Sequence, residues 1–373
     1  MIKAFISPTK YIQCEGALKE LGDYVSLYGK SALLIGHKDD VARVQSQLDE
    51  SVAKSGVKFV TSDFGGECSR QEVARLKEVA AKANCDCIVG LGGGKAIDTA
   101  KCVADSVKPV LICPTIAATD APTSSSAVLY TPEGAFDDYA YFISNPNVVL
   151  VDTSVIAKAP ARFLVSGMGD ALSTYFEARS CQRAFARVNA SGNGRPNAVG
   201  TMAAMSLATL CYDTLMEDGY KALLSAEAKV VTPALENIIE TNILLSGLGF
   251  ESGGLAAAHA IHNGLTVLEE THKFFHGEKV AFGTLVHLVL ENAESAEIQE
   301  VIDFCISVGL PVCLADLGVE DIGDRIKEVA EKSTLAEESV HNMPFPVTAD
   351  MVAAAILTAD KLGSDAKGEG CCC

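Results

Sequence analysis

The stretch Cys87-Ile-Val-Gly-Leu-Gly-Gly-Gly-Lys-Ala-Ile-Asp98 decides the fold. An apolar run enters three consecutive glycines, Gly92, Gly93 and Gly94, and leaves as a helix from Lys95. Glycines let a backbone approach a ligand with no Cβ in the way. A helix start adds free amides and the positive end of its dipole. Strand, glycine turn and helix start together make a seat for a pyrophosphate. The spacing matches neither Gly-x-Gly-x-x-Gly nor the P-loop, so context has to carry the reading.

The context extends in both directions. Ser31 to Gly36, Val57 to Thr61, Pro109 to Cys113 and Asn147 to Asp152 are further short apolar runs. Asp39 to Lys54, Ser69 to Lys82 and Lys95 to Ala104 have helical patterning. Apolar strands alternating with amphipathic helices predict a parallel sheet covered on both faces, with ligands at its carboxyl edge. Tyr130 to Phe142, broken by Pro132-Glu-Gly134, predicts a hairpin inserted between two parallel strands. Beyond about residue 160 the strand-like runs give way to helices. The expected segments are Ala161 to Arg183, Ala198 to Met216, Pro233 to Leu248, Gly254 to Leu268, Lys279 to Glu291, Ala296 to Val308, Glu320 to Glu331 and Ala349 to Leu362. The expected organisation is an α/β domain over 1–160 and an all-α domain over 161–373, the latter interrupted by a Gly/Asn-rich loop at 189–196.

Charge excludes some functions. Acidic residues number 48 and basic ones 30, a net charge of −18 over 373 residues. Such a surface repels phosphate backbones and anionic lipid, so neither nucleic acid nor a membrane is an expected partner. No apolar run reaches the roughly 18–20 residues that span a bilayer. The amino-terminal segment has no signal-peptide pattern, and a cytoplasmic location is expected. Thirteen cysteines are scattered through apolar stretches, and Cys102, Cys113, Cys211, Cys305 and Cys313 read as small buried hydrophobes. The terminal Cys371-Cys372-Cys373 run reads as a disordered tail.

Two further clusters carry chemistry. The loop Pro114-Thr-Ile-Ala-Ala-Thr-Asp-Ala-Pro-Thr-Ser-Ser-Ser126 follows the next expected strand and combines hydroxyls with one acid, Asp120. Hydroxyls there suit a phosphate, a ribose or a nicotinamide amide. Four of the seven histidines, His259, His262, His272 and His276, lie within eighteen positions. Imidazoles from adjoining helices, joined by a carboxylate, make an open catalytic site for zinc or iron. Asp170, in Ser166-Gly-Met-Gly-Asp-Ala-Leu172, is the candidate carboxylate, with two glycines allowing close approach. Spacing alone leaves open which of the four histidines bind.

In this order, the pieces resemble the glycerol dehydrogenases of the metal-dependent (iron-type, group III) alcohol dehydrogenase superfamily. The resemblance is carried by Ser7-Pro-x-Lys-Tyr-Ile-Gln13, Phe64-Gly-Gly-Glu-Cys-Ser69, Gly92-Gly-Gly-Lys-x-x-Asp-Thr-Ala-Lys101 and Pro114-Thr-Ile-Ala-x-Thr-Asp-Ala-Pro122. It continues through Gly169-Asp-Ala-Leu172, Phe250-Glu-Ser-Gly-Gly-Leu-Ala-Ala-Ala-His-Ala-x-His-Asn-Gly264, His276-Gly-Glu-Lys-Val-Ala-Phe-Gly283 and His341-Asn-Met-Pro344. Of the chain's longer stretches, only the last dozen residues look unlike the family.

The resemblance implies a Rossmann-like domain, a helical domain of dehydroquinate-synthase-like architecture, and an active site between them. It implies a metal, zinc or else iron, on Asp170, His259 and His276. His262, His272 and His341 become neighbours or structural residues. It places the NAD pyrophosphate on Gly93, Gly94 and Lys95, with Asp98 on the following helix. Thr115, Ala118, Ser124, Ser126 and Tyr130 correspond to positions lining the rest of the cofactor, and Asp120 to a substrate-hydroxyl contact. The implied reaction is NAD-dependent oxidation of glycerol or a related 1,2-diol to the hydroxyketone. The implied assembly is a homo-oligomer, an octamer by resemblance.

One position departs from the family. Where the family carries an acid after the first strand, to bind the adenine ribose, this chain has His37, followed by Lys38. A neutral imidazole still hydrogen-bonds a ribose hydroxyl but does not repel a 2′-phosphate. Weaker discrimination against NADP is therefore expected. Phosphorylated substrates, which lyases and dehydrogenases of this architecture also take, are disfavoured: only Lys273 and Lys279 lie near the metal-bearing segments.

Overall fold

The structure, a computed structural model, describes residues 1–191 and 197–369. The cysteine run 371–373 and most of the loop expected at 189–196 lie outside the described residues. The described strands are β1 (Ile2–Lys3), β2 (Tyr11–Cys14), β3 (Ser31–Gly36), β4 (Lys58–Asp63), β5 (Cys87–Gly92), β6 (Val110–Pro114), β7 (Ser126–Tyr130), β8 (Phe136–Tyr141), β9 (Val148–Asp152) and β10 (Ala198–Val199). Six of them form one sheet in the order β2-β9-β6-β5-β3-β4, with every pair parallel.

The sheet follows from its side chains. Alternate residues of a strand face opposite sides. Leu33, Ile35, Ile88, Ile112 and Val149 pack on one face with Leu76, Ile97 and Val103 from the helices Arg70–Lys82 and Gly94–Ala104. Leu34, Val89, Leu91, Leu111 and Leu150 pack on the other with Leu21, Val25, Val41, Val44 and Leu48. Both faces are therefore covered, as the continuous apolar runs require. The expected hairpin is β7 paired antiparallel with β8, with an irregular step at Leu129/Tyr130.

Strand β2 was not expected. Tyr11-Ile-Gln-Cys14 is short and half polar because it forms an edge of the sheet, where one side meets solvent. Its register, Tyr11 opposite Val149, comes from tertiary pairing. The expected helix over Ala198 to Met216 begins later: Ala198–Val199 is β10, and Thr201 caps the helix Met202–Glu227 through the amide of Ala204. Strand β10 pairs with β1, and Ser252 accepts the amide of Ile6, so the first residues pack on the helical half and not on the sheet.

The helical half runs from Ala161–Ala184 through Met202–Glu227, Pro233–Glu240, Ser246–Gly253, Ala257–Leu265, His276–Leu290, Ser295–Val308 and Ile326–Ser333 to Ala349–Glu369. A π turn, Thr241–Leu245, joins Pro233–Glu240 to Ser246–Gly253, and Gly254 ends that run at φ +103°. The five cysteines read as small hydrophobes are buried free thiols. Among the described residues no helix is long and apolar enough to cross a membrane.

Strand order creates the crevice. The chain leaves β3 for β4 on one side and returns to β5 on the other. The connections leaving the carboxyl ends of β3 and β5 therefore diverge, which is where open α/β sheets bind ligands. Gly36 and the glycine turn lie there side by side: a Cβ on Gly36 would meet the carbonyl of Leu91 at 2.7 Å.

Candidate active site

The glycine turn differs residue by residue. Gly92 has φ +150°, and a Cβ there would press on Ala96 at 3.0 Å. Gly94 opens the helix Gly94–Ala104, and a Cβ there would meet nothing nearer than Thr119 Oγ1 at 3.9 Å. Packing inside the chain does not demand glycine at 94. What glycine leaves there is open space beside free first-turn amides. Lys95 extends beside this space, paired with Glu67 at 2.5 Å and lying 5.0 Å from the centroid of the Tyr130 ring.

The other expected cofactor positions divide into two sets. Asp98 and Ser124 are buried and bonded inside the protein. Asp98 accepts the amide of Val128 and pairs with Lys101 at 2.8 Å. Lys101, 2% exposed, donates to Ser124 Oγ and to the carbonyls of Ala121 and Ser126. This buried cation ties the hydroxyl loop to the helix after the glycine turn. Thr115, whose amide bonds Gly92, lies at the strand end, and Ala118 is buried just beyond it. Ser126 and Tyr130 are half-buried on β7. His37 caps the helix Lys38–Ser55, its Nδ1 accepting the amide of Asp39. Asp63, at the end of β4, accepts the amide of Lys38 at 2.9 Å, which puts an acid beside His37 that sequence reading missed.

Asp170, His259 and His276 converge from three helices. Asp170 Oδ1 lies 3.4 Å from His259 Nε2 and 3.2 Å from His276 Nε2. A tetrahedral cation with donors at about 2.0–2.1 Å holds them about 3.4 Å apart, so the residues fit one. Asp170 Oδ1 is also buried with no hydrogen-bond donor. Burial opposes ionising Asp170, yet the imidazoles of His276 and His259 hold its carboxyl well below the usual range. Burial likewise opposes charging His259, while Glu177 and Asp170 hold it well above its ordinary value. Asp170 and Glu177 thus favour positive charge on His259, and a cation held by Asp170, His259 and His276 would take the proton's place.

Backbone contact sets this geometry. A Cβ on Gly277 would lie 1.8 Å from the Ser166 carbonyl, and one on Gly169 would lie 2.3 Å from the Gly277 carbonyl. The helices carrying Asp170 and His276 therefore touch main chain to main chain. Sequence patterning started this helix at Lys279, with Gly277 ahead of it. Instead Gly277 sits in the first turn of His276–Leu290, and close packing is its reason. Glu278 reaches back to the Phe275 amide and binds Arg162, anchoring that helix start.

Surrounding groups complete the site. Asp120 Oδ2 accepts from Ser246, whose hydroxyl also bonds Thr174. Burial, then the nearby Asp170, pushes the Asp120 carboxyl well above its usual range. Of the remaining clustered histidines, His262 Nε2 lies 3.0 Å from His276 Nδ1, while His272 donates to the carbonyl of Thr266. His341 donates to the carbonyl of Leu335. Sequence reading missed Glu177 and Ser246. Glu177 had a signal: it lies one helical face along from Asp170, at seven residues, in an apolar helix. Ser246 follows a π turn that nothing in the sequence marks.

Comparison with known proteins gives the chain its family. The sequence profile of the iron-containing alcohol dehydrogenases matches residues 8–153. A glycerol dehydrogenase of Pseudomonas putida is 51% identical over 365 residues, 97% of this chain and 98% of that protein. A glycolaldehyde reductase of Halobacterium salinarum is 44% identical, over 97% of this chain and 98% of that protein. The crystal structure of glycerol dehydrogenase from Schizosaccharomyces pombe matches with a TM-score of 0.93 at 37% identity, covering 100% of this chain and 95% of that one.

Proposed function

Because the chain belongs to the glycerol dehydrogenases of the iron-containing alcohol dehydrogenase family, we propose that it oxidises glycerol and related 1,2-diols to hydroxyketones with NAD. The observation that carries the proposal is the buried, donor-less Asp170 Oδ1 facing two imidazole Nε2 atoms, in the three-residue cluster that could hold a metal ion. Asp170, His259 and His276 would hold the cation, with zinc as the first choice and iron as the second. When bound, the cation lowers the pKa of a substrate hydroxyl and the nicotinamide ring takes up the hydride.

The chain's own residues do the rest. Gly93, Gly94 and Lys95 receive the pyrophosphate, with Lys95 leaving Glu67 to do so. Thr115, Ala118, Ser126 and Tyr130 line the remaining cofactor, while Asp98 and Ser124 hold that wall from behind through Lys101. His37 faces the adenine ribose. Ser246 holds one oxygen of Asp120, which leaves the other to hydrogen-bond a substrate hydroxyl and orient the diol. In this reading residues 1–160 bind the dinucleotide and residues 161–373 bind metal and substrate. The 44% identity to a glycolaldehyde reductase favours the reverse reaction, reduction of a small hydroxycarbonyl compound, at the same site.

The enzyme is proposed to work in the cytoplasm as a homo-oligomer, an octamer by resemblance, on small molecules, with neither nucleic acid nor membrane as partner. The net charge of −18 and the ten described cysteines, all free thiols, support this setting. Exposed Met202, Leu210, Tyr220 and Leu224 along one helix support assembly. The test is NAD reduction with glycerol at alkaline pH, using metal-stripped protein before and after adding zinc or iron separately. Activity should vanish on stripping and return with zinc. Full activity in the stripped protein would refute the mechanism.

A further inference from the structure

We infer that Glu177 is a positioning residue: it decides which nitrogen of His259 carries the ring proton, and so whether the three-residue cluster accepts a cation. The inference rests on the proposed metal assignment. Glu177 is fully buried in the helix Ala161–Ala184, seven residues beyond Asp170. Its Oε1 accepts the amides of Ala256 at 2.8 Å and His259 at 3.0 Å. Its Oε2 lies 2.6 Å from His259 Nδ1.

An ionised carboxylate only accepts hydrogen bonds. The nitrogen facing it must therefore carry the hydrogen, and Nε2, 3.4 Å from Asp170 Oδ1, keeps its lone pair in the cluster. A free neutral imidazole has two tautomers, and Glu177 removes one of them. The same side chain receives two amides at the start of the helix Ala257–Leu265, where amides lack intrahelical partners. One carboxylate thus aims both the backbone and the ring of His259. Imidazole ligands are commonly oriented through their second nitrogen in this way.

A purely structural Glu177 would act through the two amides alone, and Glu177→Gln separates the two roles. The glutamine oxygen can still accept both amides. Its NH2 would face Nδ1, which must then accept, and the ring proton moves to Nε2, where it occupies the cation's place. Glu177→Ala removes the amide contacts but leaves the tautomer free.

The experiment is zinc titration of metal-stripped wild type, E177Q and E177A by chelator competition, with thermal unfolding of each stripped protein. E177Q should bind zinc about ten- to a hundredfold more weakly than wild type, and unfold close to wild type. E177A should unfold at a lower temperature than E177Q yet bind zinc more tightly. E177Q binding within about twofold of wild type overturns the inference, as does E177A ranking below E177Q in both measurements. If E177Q fails to fold, zinc-loaded wild type with 15N-labelled histidine decides. A solvent-protected proton on His259 Nδ1 is expected, and a bare Nδ1 overturns the inference. Wild type that binds neither zinc nor iron overturns the metal assignment as well, and is recognisable because no variant is needed to see it.

Discussion

At position 94 the absence of a side chain serves no neighbour in the chain. A Cβ there would have 3.9 Å of clearance. Gly94→Ala should therefore unfold at the wild-type temperature but bind NAD at least about tenfold more weakly, about 1.4 kcal/mol. Calorimetric titration with NAD beside a thermal melt checks both halves, and unchanged affinity would remove the pyrophosphate from this turn. His37 yields a second expectation. An imidazole does not repel a 2′-phosphate, but Asp63, bonded to the Lys38 amide, keeps negative charge close by. NAD should still be preferred, by less than about a thousandfold in kcat/KM, about 4 kcal/mol; a larger ratio contradicts the weakened discrimination. The glycine turn, the hydroxyl loop and the histidine cluster were legible because their chemistry is local in sequence. The acid beside His37 was not, because Asp63 reaches it only through the pairing of β3 with β4.

Elements are placed by contacts that single residues permit. The helices bearing Asp170 and His276 meet at Gly169 and Gly277 without intervening side chains. Gly277→Ala would set a methyl 1.8 Å from the Ser166 carbonyl, and main chain cannot yield as a side-chain tip can. Overpacking of this kind costs about 3 kcal/mol or more, so the variant should melt well below wild type and bind zinc more weakly. An unchanged melting temperature would show that the two helices tolerate separation. Patterning predicted these helices, since an apolar face at helical spacing is visible in one dimension. Their true starts, at His276 and not Lys279, and at Ala257 and not Gly254, depend on Glu278 and on Glu177 supplying acceptors to the first amides. No local propensity marks the π turn Thr241–Leu245, just past which Ser246 bonds Asp120 and Thr174.

Over the whole molecule, the sheet half and the helical half are joined by buried polar links. Glu251, from the helix Ser246–Gly253, accepts the amide and hydroxyl of Ser125 and the side-chain amide of Asn145. Burial raises its carboxyl above the ordinary 4.5, although those donors oppose the rise. The folded protein therefore holds this proton at pH values where the unfolded chain has lost it. The sign follows: this group's contribution is fullest below about 4.5 and declines as pH rises through the raised value. Relative to Glu251→Gln, wild type should lose melting temperature as pH increases across that window. Parallel pH profiles would show the link to be neutral.

A last consequence concerns time. The chain's first strand finds its partner at Ala198–Val199, and Ile6 binds Ser252. At about 5–20 residues per second, synthesis takes roughly 10–40 s to deliver residue 198 after residue 2. For that interval the leading end of the nascent chain has no place to dock, even while the sheet behind it assembles. A tag or fusion at the amino terminus would thus burden the late closing of the helical half more than the early growth of the sheet.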